Sequence, residues 1–368
     1  MTDPTILVGG GIFGCWAALC IARTTDHPVI LIERSGSLLS QASAINQARL
    51  HTGPHYPRSY LTAQRARAAY DEFRRLFPDC VKEFKHVYAI ARHGSKTDGH
   101  AFDAHLERLD ISATRIDPAR WFGSASVESA WEVTEPSFDV SSLRQTLRQL
   151  LSADPRISVM TDTVVTNLDA ESDRIAVITD NGTYNASRLV IASYASINPL
   201  RTMLNLQPIP LKHELAEVVL GTVKPQVTNV GFTVMDGPFW SLMPFGHSGF
   251  HSLTSVGLTP VMTTKHEPRF PCQQSRPECT PSAVLDCTTC FARPASLAQH
   301  QMQQMHRFLA RDSGFTPQKS LLTVKTVLRT AEVDDARPTL VWKEADLPVT
   351  TIFSGKITSI LELSDTLI

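Results

Sequence analysis

The sequence predicts an α/β protein in which a parallel-sheet domain, assembled from three separated segments, is interleaved with an α+β domain on an antiparallel sheet. Three observations predict it. The chain opens as strand, glycine turn, helix and strand. Its middle is a run of strands with short, glycine-containing connections. Its tail returns to strand, turn and helix. The expected division gives residues 1–77, 136–205 and 320–368 to the first domain. The second takes 78–135 and 206–319, with a cysteine-rich insert at 265–294.

Each element has a local reason. Thr5-Ile-Leu-Val8 is a short apolar run, and Gly9-Gly10-Gly11 breaks it. Cys15 to Arg23, rich in alanine and leucine, reads as a helix, and Val29-Ile-Leu-Ile32 as the second strand. Together they make a βαβ unit. Ser40 to Arg58 is polar and irregular, too long a loop to be idle in a compact domain. Ala66, Tyr70, Phe73 and Phe77 then recur at helical spacing until Pro78 stops them. Val87 to Ala91 reads as a strand, and His100 to Leu109 and Ser142 to Leu151 as helices. Strand signals follow at Ser158–Thr163, Arg174–Asp180 and Arg188–Ser193, with Asn181-Gly182 as a turn between the latter two. Lys212–Leu220, Val230–Met235, Phe239–Met243 and His251–Gly257 supply the antiparallel run. Residues 260–294 show no periodicity. A helix is expected over Ser296–Leu309, then a strand at Thr351–Phe353, the turn Ser354-Gly355-Lys356 and a last helix.

The motif Gly9-x-Gly11-x-x-Gly14 stands in its full context of strand, helix and acidic strand end. Gly9 permits the tight turn, Gly11 lets backbone approach a pyrophosphate, and Gly14 allows close helix–strand packing. Glu33 suits a ribose and disfavours a 2′-phosphate, with Arg34 beside it. The alternative is a glycine turn without a ligand. The motif's place at the N-terminus, the antiparallel middle and the terminal Gly355-Lys356 turn point to FAD over NAD. The first domain is thus expected to be a Rossmann-like FAD-binding domain.

These residues resemble the D-amino-acid-oxidase-like FAD oxidoreductases over nearly the whole chain. Asn46-Gln-Ala-Arg-Leu-His51-Thr-Gly53-Pro-His-Tyr56 is similar to the flavin-facing loop of L-2-hydroxyglutarate dehydrogenases. Ser354-Gly355-Lys356-Ile-Thr358 is similar to the terminal turn of FAD-dependent glycerol-3-phosphate dehydrogenases. Leu328-Arg329, with Arg337-Pro338 after it, resembles the substrate-arginine region, and Glu135-Pro136 fits the group. The chain departs at Ala48-Arg49, at Ser193-Tyr194 and in the cysteine-rich segment. The resemblance implies a hydride taken from a carbon bearing an amine or hydroxyl, in a small polar substrate carrying a carboxylate. It places Gly355 and Lys356 at the flavin's N1/O2 edge, with Thr358 also binding the cofactor, and Asn46, His51 and Gly53 in the flavin loop. His51 is the expected base, with a covalent flavin link or a structural role as alternatives. Arg329, then Arg49, is expected to pair a substrate carboxylate. Tyr56 and Trp240 are expected in the substrate wall, or in the core.

Cys272-x6-Cys279-x7-Cys287-x2-Cys290 contains one C-x2-C knuckle in a segment with few apolar residues. Four thiolates there suit a structural zinc ion, with His266 as a substitute ligand and reduced thiols or an iron–sulfur cluster as alternatives. The other three of the seven cysteines are scattered, which argues against a disulfide scaffold. With 42% hydrophobic and 19% charged residues, the chain has ample core. A net charge of −1 argues against nucleic-acid binding by bulk charge. No apolar run approaches the roughly 18 residues of a spanning helix. Without a signal-like start, a cytoplasmic location is expected. Two other functions stay open: an NAD-dependent dehydrogenase, and a non-catalytic flavin-fold scaffold whose cysteine loop docks a partner.

Overall fold

The computed structural model describes residues 3–171, 173–310, 313–329 and 339–367. A six-stranded sheet forms the dinucleotide half. Its order is Leu340–Lys343, Val349–Phe353, Arg188–Ile191, Thr5–Val8, Val29–Ile32 and Ile157–Met160. All neighbours run parallel except the Leu340–Lys343 edge. The strand alternation sorts the core into two layers. Leu7 and Leu31 face the Ile12–Thr24 helix and Leu143, Leu147 and Leu151. Ile6, Val8 and Ile32 face the opposite way, onto Leu168, Val177 and Leu200. Both faces of Thr5–Val8 are covered, so its residues are buried and uniformly poor in charge. Connections reverse direction between Thr5–Val8 and Arg188–Ile191, which makes the carboxyl ends of these two strands the switch point.

A second, mostly antiparallel sheet of nine strands carries the other half. Its backbone is Leu211–Thr222, paired along its length with Thr316–Leu328. One parallel pair, Val230–Met235 with Lys85–Ala91, joins the meander to the earlier segment. The strand Thr316–Leu328 thus belongs to this sheet, whereas the sequence reading grouped residues from 320 onward with the first domain.

Other local expectations are redirected by tertiary pairing. The Asn181-Gly182 turn does form a hairpin, but it joins Ile175–Thr179 to Gly182–Ala186. Arg188–Ile191 leaves to the parallel sheet, where Leu189, Val190 and Ile191 are fully buried. Pro260–Lys265, expected to be irregular, adds a strand to Leu211–Thr222. The expected last helix is mostly a 3-10 segment, Ile357–Glu362, before the short helix Leu363–Thr366.

Candidate functional site

The glycine turn is built by contact. Gly9 has φ +116°, and a Cβ there would stand 2.6 Å from the Ala192 carbonyl oxygen. A Cβ on Gly14 would stand 1.8 Å from the Gly9 carbonyl oxygen, so only glycine lets the helix pack this close. Gly11 caps the Ile12–Thr24 helix, whose first turn holds no acidic side chain to neutralise its positive end. Ser43 reaches back from the long loop and accepts from the Ile12 amide at 3.0 Å. The Glu33 carboxylate accepts from the Gly10 amide at 2.6 Å and the Ser35 amide at 2.8 Å. Arg34 follows, half-buried; desolvation lowers its pKa, and nearby Glu33, Cys279 and Cys287 oppose that. A cradle closed to any Cβ, a helix whose first turn carries no acidic side chain and a carboxylate just after the second strand fit a dinucleotide such as FAD.

The chemistry end begins in the same loop. The Asn46 amide donates to the carbonyls of Ala42 (2.9 Å) and Ser43 (3.1 Å), and its oxygen accepts from the Ala48 amide at 2.6 Å. Asn46 therefore shapes the loop. Ala48 takes a left-handed backbone, φ 57°, and the next side chain, Arg49, is buried. The Arg49 guanidinium donates to Tyr88 (2.7 Å), Glu135 (3.2 Å), Thr233 (2.8 Å) and Ser241 (3.0 Å). Tyr88 also donates to Glu135, and His86 joins through Thr233 at 2.8 Å. A charge taken out of water needs such partners.

His51 stands at the edge of this network. Its Nδ1 lies 3.4 Å from Glu135 Oε1, and its side chain keeps 21% exposure. Burial, more than any neighbour, pushes its pKa down to about 4; Glu135 opposes, while Arg49 and Lys356 push the same way. Glu135 is held well below the usual carboxylate range: burial would raise it, but the His51 hydrogen bond and the charges of Arg49, His51 and His86 together prevail. The His51 ring lies 4.9 Å from His55 and 5.0 Å from Tyr56. The Lys356 ammonium stands 4.3 Å from the centre of the Tyr56 ring. Gly53 has φ +119°, and its carbonyl accepts from His105 at 3.2 Å. Thr358 is buried in the 3-10 turn after Lys356. Residues near 50, 135 and 356 thus meet at one place.

Other expected residues lie elsewhere. Arg329 is exposed at the end of Thr316–Leu328, its amide bonded to the Pro210 carbonyl, and the contacts that assemble the His51 cluster do not include it. Trp240 is buried in the second domain's core, near Phe308. Arg337 and Pro338 lie outside the described residues. Cys272, Cys279, Cys287 and Cys290 line one small cavity. Yet among the described residues no group of three or more His, Cys, Asp or Glu is placed to hold a metal, so the expected zinc centre finds no support. The thiols have other partners: Cys287 donates to the Leu285 carbonyl at 3.6 Å, and Cys279 accepts from the Leu285 amide at 3.4 Å. His266 lines a different cavity, with Asn198 and Arg269.

Sequence reasoning missed Tyr88, His55, Thr233 and Ser241 as site residues, and gave Glu135 no role. Their signal was weak, because each sits in an ordinary strand or loop and only the fold aims it at Arg49.

Among the described residues no helix is long and apolar enough to cross a membrane. The model of the DAO family, described as FAD dependent oxidoreductase, matches residues 5–261. The chain is 30% identical over 252 residues to the FAD-dependent monooxygenase kojA of Aspergillus flavus, covering 65% of this chain and 57% of that protein. The probable FAD-dependent monooxygenase kojA of Aspergillus oryzae matches equally. The match therefore spans little more than half the length of these relatives. Among solved structures, glycine oxidase from Geobacillus kaustophilus superposes with TM-score 0.69 at 14% identity, over 99% of this chain and 91% of that one. NikD, an unusual amino acid oxidase essential for nikkomycin biosynthesis, gives TM-score 0.69 at 16% identity, over 100% and 94%.

Proposed function

We propose a function for this chain from the premise that it belongs to the DAO family of FAD dependent oxidoreductases. It takes a hydride from the carbon bearing an amine or hydroxyl in a small polar substrate that carries a carboxylate. The observation that carries this reading is the meeting of His51, Glu135, Tyr56 and Lys356 where the long loop joins the terminal turn.

The Gly9–Gly14 turn, Glu33 and Arg34 would hold the dinucleotide. The Asn46–Gly53 loop and the turn from Gly355 to Thr358 would flank the flavin. When bound, FAD supplies the hydride acceptor. Lys356 contributes positive charge beside the ring edge where negative charge develops. His51, neutral above about pH 4, accepts the substrate's hydroxyl or ammonium proton at Nε2, since Nδ1 faces Glu135. Glu135 then stabilises the imidazolium. Tyr56 walls the cleft. Arg49 is enclosed by Tyr88, Glu135, Thr233 and Ser241, and Arg329 is exposed apart from the His51 cluster, so neither is assigned to the substrate carboxylate.

The test is the absorption spectrum of the purified protein before and after anaerobic addition of pooled D- and L-amino acids and, separately, pooled 2-hydroxy acids. Bleaching of the flavin band by one pool is expected and selects amine or alcohol. No bleaching by either pool overturns the reading. A second reading follows the curated relatives' description as monooxygenases. Bleaching by NADH or NADPH, with neither pool active, would favour it.

A further inference from the structure

The cysteine-rich insert is attached at a particular place. Its apolar residues Phe270 and Val284, with Cys272, Cys279 and Cys287, pack in one cluster with Tyr194 and Ala195. These two residues follow Arg188–Ile191, on the carboxyl side of the switch point. Gly9 closes against Ala192 and Ser193, immediately before Tyr194. On the neighbouring side, Cys279 and Cys287 lie within electrostatic reach of Arg34, the residue after the ribose carboxylate Glu33. The insert is pinned from behind by Thr288, whose hydroxyl donates to the Leu322 carbonyl at 3.2 Å and accepts from the Leu322 amide at 3.0 Å. The same small cavity that the four cysteines line is walled by Leu215 of the second sheet. The insert therefore spans from the second sheet to the ends of two strands of the first.

In an open parallel sheet, ligands lie in the crevice outside the carboxyl ends at the switch point, with the ribose of the adenosine at the acidic residue. We propose that residues 271–293 form the outer wall of the adenosine half of the FAD site, closing over it beside Arg34 and Tyr194. This rests on the FAD reading above and adds a binding element to it. The wall contributes to affinity by excluding water from the adenosine. It belongs to the adenosine half alone, since His51, Tyr56 and Lys356 are held by other contacts.

The experiment compares apoprotein of the full chain with a variant in which residues 271–293 are replaced by a short Gly-Ser linker. FAD and ADP affinities are measured by titration. The variant should bind both at least tenfold more weakly, while the wild-type chain binds FAD. Equal affinities overturn the proposal. Failure of the wild-type chain to bind FAD would instead overturn the cofactor reading on which it rests. If the variant does not fold, alkylation of the wild-type apoprotein decides. ADP at saturation should slow iodoacetamide labelling of Cys279 and Cys287, read by peptide mass; labelling rates unchanged by ADP overturn the proposal.

Discussion

Two polar clusters of this molecule can be compared directly: the network around Arg49 and the cysteine-rich insert. Both collect reactive side chains from distant places in sequence or along a loop. The Arg49 network draws on Lys85–Ala91, Val230–Met235 and Trp240–Pro244, three strands whose register is fixed by backbone pairing. The Arg49 guanidinium meets Tyr88, Thr233 and Ser241 there because the sheet holds all three. The insert has a single 3-10 turn, Pro271–Ser275, and otherwise turns and bends. Its four thiols share a cavity but find local partners. The difference teaches that convergence of side chains is a property of the scaffold: a sheet enforces it, while a loop leaves each group to its nearest neighbour.

The comparison can be broken or sharpened by measurement. The largest effect is expected at the glycine turn of the dinucleotide half. Gly14→Ala puts a Cβ into the Gly9 carbonyl. The variant should purify without a flavin band and bind FAD on the order of a hundredfold more weakly. Next is Glu135→Leu, which strands Arg49 without its buried counter-ion. It should cost about 3–5 kcal/mol in chemical denaturation. Adding Arg49→Met should return part of that, because the buried charge is then gone. A double variant no more stable than the single one would show that the network is held by packing alone.

Lys356→Met should keep FAD bound and slow anaerobic flavin reduction by about tenfold to a hundredfold. An unchanged rate would remove Lys356 from the flavin edge. Acid provides a softer probe of the same network. Burial, aided by Arg49, holds His86 at about 3, against an ordinary value of 6.5. As pH falls below 6.5 the unfolded chain takes the proton first, so stability declines until the folded value is reached. The loss from His86 should be about 2 kcal/mol at pH 5 and should vanish in His86→Gln. The insert should answer most weakly. Asp286 accepts from the Thr288 amide at 2.9 Å and the Thr289 hydroxyl at 2.7 Å, a local turn at the surface. Asp286→Ala should cost about 1 kcal/mol or less. A loss as large as that of Glu135→Leu would show that the insert, too, is tightly coupled to the fold.

The sequence by itself determined the dinucleotide half to a large degree. A strand, a turn that only glycine can make, a helix and an acidic strand end lie within residues 5–33, so local chemistry suffices to specify them. The Asn46–Tyr56 loop and the Ser354–Thr358 turn were legible for the same reason, each as a short contiguous motif. Only the tertiary structure decided which strands pair. The Asn181-Gly182 turn is plain in the sequence, yet its partner strand follows from burial: Arg188–Ile191 has apolar residues for both faces and is taken into the central sheet. It also decided the partners of Arg49. An arginine in this loop reads equally as a substrate ligand or as a structural cation. Glu135, Tyr88, Thr233 and Ser241 settle its placement, and they converge from three strands and a connection that lie tens to nearly two hundred residues away. Hydrogen-bond partners of a buried charge are fixed by sheet register, and register between distant strands is written in no local stretch of sequence.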